Sequence, residues 1–302
     1  MTRTIVVIGR SGQVAQALAR LGRISRHKVI AVGRPDADLT QPATLAATIE
    51  RHGPAVVVNA GAFTAVDEAE GARTPAFAVN AAGAGHLARA CNTAGVPLIH
   101  MSTDYVFDGR ANRPYREDDG VAPLSAYGAS KAEGEVEIRA AAGRHVILRT
   151  SWLYSETGRN FLTTMLRLGR ERPELAIVDD QVGSPTYAGD VARAIARIVQ
   201  ALLEGSAERD DVWGTYHFAS AGSTTWYGFA DAIFAGAAAL GWPVPKLRPI
   251  TTAEYPTAAR RPAYSVLDTE KIARVFGVEP PNWRNALKRC MDHLARSESV
   301  MS

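Results

Sequence analysis

The first apolar run of this chain ends at residue 8 and passes at once into Gly9-Arg10-Ser11-Gly12-Gln13-Val14-Ala15, and no other feature limits the fold as much. A strand that feeds a glycine turn and then a helix is the context that a dinucleotide-binding turn needs. Gly9 permits the tight turn, Gly12 lets backbone approach a pyrophosphate, and Ala15 stands where a small residue allows helix and strand to pack. The opening turn of the helix then offers free N–H groups and a positive dipole end to phosphate oxygens. Gly9, Ser11, Gly12, Gln13 and Val14 are therefore expected to line a bound dinucleotide.

The residues beyond this turn agree with such a start. Short β-branched runs at 4–8, 29–32, 56–59, 98–102 and 146–150 alternate with helix-forming stretches at 13–21, 42–52 and 81–94. That alternation predicts an α/β fold, a Rossmann-type doubly wound parallel sheet. Residues 1–150 are expected to form the dinucleotide-binding domain. Past Trp152 the pattern loosens into helices near 161–170 and 191–203, a strand near 216–218 and proline-rich loops. Residues 151–302 are read as mainly a smaller α/β substrate-binding lobe, discontinuous, with later segments returning to the sheet. The proline-rich stretch 243–262 contains Arg260-Arg261-Pro262 and reads either as a surface loop or as an arm closing over a ligand, in which case Arg260 is the candidate substrate contact.

Composition narrows the partners. A net charge of +3 from 34 basic and 31 acidic residues, with no long run of one sign, indicates neither a nucleic-acid partner nor a membrane surface. Ile5-Val6-Val7-Ile8 is too short for a signal-peptide core or a membrane span, which leads to a cytoplasmic expectation. Cys91 and Cys290 lie far apart with no Cys or His at ligand spacing, so neither a disulfide nor a metal is expected.

The second strand ends in Val32-Gly33-Arg34, where a carboxylate would hold the ribose hydroxyls of NAD. With Arg10 and Arg34 in reach of a 2′-phosphate, NADPH is expected ahead of NADH, although Asp36 or Asp38 could still hold ribose.

The chemistry is carried by Tyr127-Gly128-Ala129-Ser130-Lys131, with Ser102-Thr103-Asp104 just past the fourth strand. Tyr127 and Lys131 share one helix face, and ligands bind at the carboxyl ends of parallel strands. Reduction of a ketone needs a hydride on one face and an acid for the oxygen. Tyr127 is read as that acid, with Thr103 holding the carbonyl. Lys131 is expected to lower the phenol by about 3 units from about 10, since an ammonium at about 4 Å supplies roughly the needed 4 kcal/mol at an effective dielectric of about 20.

With these residues in place the chain resembles the dTDP-4-dehydrorhamnose reductase family of the extended short-chain dehydrogenase/reductase superfamily. The likeness runs along nearly the whole chain, through Val58-Asn59-Ala60, Thr64-Ala65-Val66-Asp67, Ser102 to Phe107, Arg149-Thr150-Ser151-Trp152, Asn160-Phe161, Asp180-Gln181, Thr224 to Tyr227 and Ala259 to Pro262. It implies that NADPH or NADH reduces the 4-keto group of dTDP-4-dehydro-β-L-rhamnose, with Thr103, Tyr127 and Lys131 catalytic. It further implies that Gln13, Val14, Asp38, Leu39, Ala62, Phe63 and Thr64 line the cofactor and that Tyr105 and Trp152 contact the nucleotide sugar; Ala60 is a further cofactor candidate, and Asp104, Asn160 and Trp226 are further substrate candidates. Ala17 stands where some relatives carry a magnesium-binding glutamate, so that site and its dimer are not expected, and the chain is read as a monomer or homodimer. A dehydratase or epimerase is disfavoured because Asp104-Tyr105 replaces the usual Asp-Glu pair. A regulatory subunit of the methionine adenosyltransferase type is disfavoured by the intact Thr, Tyr and Lys.

Overall fold

The computed structural model describes residues 2–24 and 26–301, with side chains through residue 296. Seven strands form the main sheet: β1 (Thr4–Ile8), β2 (Arg23–Ile24), β3 (His27–Val32), β4 (Pro54–Asn59), β5 (Leu98–Thr103), β6 (His145–Thr150) and, from much later in the chain, β7 (Gly214–His217). Their spatial order is β7-β6-β5-β4-β1-β3-β2, and every pairing is parallel except that of the short edge strand β2 with β3. The chain first steps from β1 to β3 on one side, then crosses to β4 on the other. The switch point therefore lies between β1 and β4, where a crevice opens at the carboxyl ends. Ile8 is level with both Val32 and Asn59, so the turns that leave these three strands stand side by side.

Val and Ile fill the central strands because both faces are covered. On one face the core joins α1 (Gln13–Leu21) to the late helices α8 (Ala188–Leu203) and α10 (Glu270–Phe276). On the other it joins α2 (Pro42–His52), α5 (Gly83–Thr93) and α6 (Ala126–Ala141). Pro42 sits in the first turn of α2, and Gly53 closes that helix with φ at 48°, a left-handed residue that glycine adopts without strain. Between α2 and α5 lie α3 (Glu68–Gly71), α4 (Arg73–Phe77) and a π turn over Ala78–Ala82.

A third core holds α7 (Phe161–Glu171), α9 (Trp226–Ala239) and α11 (Trp283–Met301) together with two short parallel strands, Glu174–Val178 and Lys246–Ile250. Helix 188–203 and strand 214–217, both inside the second half of the chain, pack with the sheet rather than with this lobe. Among the described residues no helix is long and apolar enough to cross a membrane.

Candidate active site

The glycine turn is built as its spacing predicts. Gly9 has φ at 112°, donates its N–H to the Val32 carbonyl at 2.7 Å, and lies so close to β4 that a Cβ would stand 3.1 Å from backbone atoms of Ala60 and Gly61. Gly12 precedes α1 with extended backbone, and among the described residues no side chain caps that helix or adds an acid to its first turn. Val14 and Ala15 face inward, while Gln13 accepts a hydrogen bond from Ser155 at 2.8 Å and the Ser11 carbonyl accepts one from Gln16. Open N–H groups beside glycine backbone suit a pyrophosphate, so these residues fit a dinucleotide.

At the next turn Gly33 packs against Arg10, Arg34 is exposed, and Arg10 pairs loosely with Asp36 at 3.6 Å. Asp38 is held below the usual carboxylate range by hydrogen bonds from Thr40, and buried Leu39 lies against Gly61. Ala60, Ala62, Phe63 and Thr64 follow β4 on the far side of the crevice. Phe63 is tied by both backbone groups to Asn80, whose amide also donates to Ser130 Oγ at 2.9 Å. Asn80 thereby anchors the β4 loop to the helix that carries Tyr127 and Lys131. Composition and spacing give no sign of this, because an asparagine inside a helical stretch looks like any polar helix residue.

Ser125 caps α6 by accepting from the Gly128 N–H, and Tyr127 enters the cleft on the first turn. The helix is docked at backbone distance. A Cβ on Gly128 would fall 2.2 Å from the Tyr105 carbonyl oxygen, and one on Gly134 would fall 2.1 Å from that of Asn80. Tyr127 is half-buried and meets the Tyr105 ring edge-on with centroids 5.9 Å apart, and the Tyr105 N–H donates to Thr103 Oγ1 at 3.2 Å. Thr103 in turn donates to Asp104 Oδ1 at 3.1 Å. Thr103, Tyr127 and Tyr105 therefore converge on one point.

Lys131 is buried beneath them, but its ammonium position differs from expectation. Nζ lies 2.7 Å from the Met101 carbonyl oxygen and 3.0 Å from His100 Nε2. The Tyr127 phenol is not lowered. Burial pushes it up to about 12, opposed by the hydrogen bond to Thr103 and reinforced by the charge of Asp104. Burial also pulls Lys131 down to about 8, against the Glu135 carboxylate. Desolvation is the largest influence on each group.

Beneath this, Glu135 and Arg149 form a buried two-point ion pair at 2.7 and 2.8 Å, with Ser102 donating to the same carboxylate at 2.7 Å. The pair locks α6 to β5 and β6.

Next to Tyr105 opens a cavity of about 1180 Å³, which Asn160, Phe161, Gln181, Trp226 and Arg261 help to line. Trp226 stacks flat on Trp152, with centroids 3.6 Å apart and planes within 4°. Trp152 adopts φ at 43°, unusual for a bulky residue, and its indole fills the space that a Gly183 side chain would need. Three expected contacts are placed differently. Arg260 is exposed and does not line the cavity; its neighbour Arg261 does, held by Asp67 at 2.7 Å. Asp104 turns inward, only 2% exposed, towards Thr103 and Ser265, and burial raises it to about 7. Asn160 borders the cavity, but its side chain caps α7 and its amide donates to Ser155 and Thr157 carbonyls.

The family model described as the RmlD substrate binding domain matches residues 3–296. A dTDP-4-dehydrorhamnose reductase of Burkholderia thailandensis is 45% identical over 296 residues, covering 96% of this chain and 98% of the relative. One from Escherichia coli K12 is 39% identical over 302 residues, covering 98% and 99%. Among solved structures, the dTDP-4-dehydrorhamnose reductase of Bacillus anthracis in complex with NADP superposes with a TM-score of 0.89 at 33% identity, over 97% of this chain and 100% of that one. A UDP-glucose 4-epimerase of Thermus thermophilus, 20% identical with a TM-score of 0.78 over 96% and 98% of the two chains, shares the fold. A glycine crevice, a half-buried Tyr and a buried Lys on one helix, and full-length likeness to reductases of one name lead to one assignment: the chain belongs to the RmlD substrate binding domain family.

Proposed function

We propose that this protein reduces the 4-keto group of dTDP-4-dehydro-β-L-rhamnose to give dTDP-β-L-rhamnose, with NADPH as the preferred reductant and NADH as a substitute. The observation that supports the reading is that Tyr127 and Thr103 each adjoin Tyr105, which lines the large cavity. Bound in the crevice, the reduced nicotinamide supplies the hydride. Gly9, Ser11, Gly12, Gln13 and Val14 would hold its pyrophosphate side, Arg34, Asp38 and Leu39 would border the adenosine end, and Ala60, Ala62, Phe63 and Thr64 would close the opposite wall.

In this reading Tyr127 is the acid. A phenol pushed up to about 12 stays protonated throughout the neutral range and delivers its proton to the carbonyl oxygen as the carbon gains hydride. The ketone becomes a secondary alcohol, and the phenolate is reprotonated from solvent. Thr103 orients the carbonyl, which removes rotational freedom from the reacting pair. Lys131 holds the floor of the cleft. The cavity takes the nucleotide sugar, with Trp226, backed by the stacked Trp152, as an apolar wall for the deoxysugar or base and Arg261 as a cation for the diphosphate. The sheet body thus serves the cofactor and the lobe serves the substrate, in a cytoplasmic monomer or homodimer with no nucleic-acid or membrane partner.

The test is loss of reduced-nicotinamide absorbance when purified protein meets dTDP-4-dehydrorhamnose, compared with other 4-keto sugar nucleotides. Tyr127→Phe is expected to abolish turnover, by a factor of about 100 or more, while NADPH binding persists. Turnover of a different keto-sugar nucleotide alone would reassign the substrate. Undiminished turnover in Tyr127→Phe would remove the acid from the scheme.

A further inference from the structure

Two short sequences singled out by resemblance, Asp180-Gln181 and Thr225-Trp226, meet at the wall of the large cavity. Gln181 and Trp226 line that cavity, whereas Asp180 and Thr252 do not. The strands Glu174–Val178 and Lys246–Ile250 run parallel with Val178 level with Ile250, so Asp180 and Thr252 leave their ends side by side. Thr252 gives its N–H to the Asp180 carboxylate at 2.9 Å and its O–H to Oδ1 at 2.6 Å. Gln181, 5% exposed, donates from Nε2 to Thr252 Oγ1 at 2.9 Å, and the Trp226 indole N–H donates to Gln181 Oε1 at 3.1 Å. The main chain at Trp226 is tied to the same segment. Thr225 caps α9 by accepting from the Gly228 N–H at 3.0 Å, and its hydroxyl donates to Asp179.

The directions of these bonds admit one assignment. An indole N–H only donates, and an ionised carboxylate only accepts. Gln181 must therefore turn its oxygen to Trp226 and its N–H to Thr252, and Thr252 must turn its hydroxyl hydrogen to Asp180. Burial pushes Asp180 up, but the hydrogen bonds from Thr252 bring its carboxyl below the usual range, so it remains an acceptor at neutral pH. Stacking on Trp152 at 3.6 Å fixes the plane of the Trp226 ring, but two flat apolar surfaces slide and turn within that plane at little cost. Phe161 meets the ring at 42° with centroids 4.6 Å apart and offers no polar atom. The N–H is the one polar group of the indole, so its bond to Gln181 decides how the ring sits along the cavity wall.

We propose that Gln181, backed by Thr252 and Asp180, is a positioning residue for the substrate, holding the Trp226 indole where the deoxysugar or base of the nucleotide sugar packs against it. The inference rests on the reading of this cavity as the nucleotide-sugar site. An aromatic wall fixed before the ligand arrives leaves no ordering cost to be met on binding. Loosening it weakens ground state and transition state alike, which raises KM and leaves kcat in place.

The test joins a resonance measurement on ligand-free protein to binding of dTDP-β-L-rhamnose. Gln181→Met keeps an unbranched side chain of similar length without its hydrogen bonds. Thr252→Val removes only the hydroxyl at an exposed position, and Thr252→Ser restores it. The chain has five tryptophans, and Trp226→Phe assigns the indole N–H of interest. That N–H is expected to exchange with water slowly in the wild type and in Thr252→Ser, and faster in Gln181→Met and Thr252→Val. By calorimetry Gln181→Met should bind dTDP-β-L-rhamnose roughly fivefold more weakly, about the worth of one neutral hydrogen bond, with the same rise in KM, and kcat and NADPH affinity near wild type. Thr252→Val should show part of this loss and Thr252→Ser none. An indole signal unmoved by Gln181→Met overturns the relay, and a moved signal with unchanged affinity leaves it a structural contact only, which overturns the proposal. Parallel losses in kcat and NADPH affinity, or a wild type that does not bind dTDP-β-L-rhamnose, also overturn it. If Gln181→Met does not fold, the two Thr252 variants decide by the same criteria. If the wild type binds dTDP-β-L-rhamnose but reduces no keto sugar, the reductase reading fails while the relay is still judged on binding.

Discussion

Replacing Arg149 by methionine tests how α6, which carries Tyr127 and Lys131, is held. Arg149 is 2% exposed and gives Glu135 two charge-assisted hydrogen bonds. Burial pushes Glu135 up, but the hydrogen bonds and charge of Arg149, then Ser102, then Arg139, together bring its carboxyl below the usual value. Removing one partner of a buried pair costs about 3–5 kcal/mol, because the other charge is left uncompensated. Ser102 and the half-exposed Arg139 remain, so the lower end, about 3 kcal/mol, is expected for Arg149→Met at neutral pH. At a urea slope of about 3 kcal/mol per molar, the unfolding midpoint should fall by roughly 1 M. The pH dependence follows from the direction of the shift. A carboxyl lowered in the folded state contributes stability above its unfolded value and loses it as pH falls through the folded one. The gap between wild type and variant should therefore be widest at neutral pH and narrow on entering the carboxyl range. Equilibrium urea unfolding at a series of pH values, followed by tryptophan fluorescence, measures it. The companion Arg149→Met with Glu135→Leu should recover much of the loss, since an apolar pair leaves no stranded charge. A loss below about 1 kcal/mol, or one that is flat with pH, would show that the pair does not hold the helix as argued.

Three further outcomes are expected. Gly128→Ala places a methyl group 2.2 Å from the Tyr105 carbonyl oxygen, so the two tyrosines must separate; kcat should drop at least tenfold, since small misplacements of reacting groups are costly, and steady-state kinetics would show it. Arg261→Met should raise KM for the nucleotide sugar about tenfold or more, while Arg260→Met should leave it near wild type, because only the former lines the cavity. Asp104 is raised to about 7, so the folded state binds its proton more tightly than the unfolded chain; stability should fall as pH rises from the ordinary carboxyl range to about 7, and Asp104→Asn should remove that slope in urea unfolding.

Much of this architecture can be read from local signals. The Gly9 turn, the β-branched strands and the Tyr127 to Lys131 spacing depend on neighbours within a few residues, and the sheet, the crevice and the helix arise from them. The features that sequence patterns hide depend on long-range contact. Asn80 and His100 look like ordinary helix and strand residues until they are seen to touch Ser130 and Lys131, 50 and 31 positions away. The choice between Arg260 and Arg261 is decided by Asp67, far earlier in the chain, and no local rule separates two adjacent arginines. The expectation of a lowered phenol counts a nearby ammonium, whereas Lys131 is turned to Met101 and His100 and burial is the largest influence on the phenol. A strand near 216–218 is legible in the residues, but its place beside β6 comes from pairing, which residue patterns do not reveal.

The close seating of the catalytic helix against two carbonyl oxygens, at Gly128 and Gly134, has a bearing on how such a protein can diverge. Contacts made through main-chain atoms do not change when side chains elsewhere are exchanged. The apolar layers of the sheet can therefore drift through many aliphatic replacements, and the residues around the large cavity can be exchanged, while Tyr127 and Lys131 stay in register. Freedom to vary is distributed over the rest of the molecule because two positions have almost none.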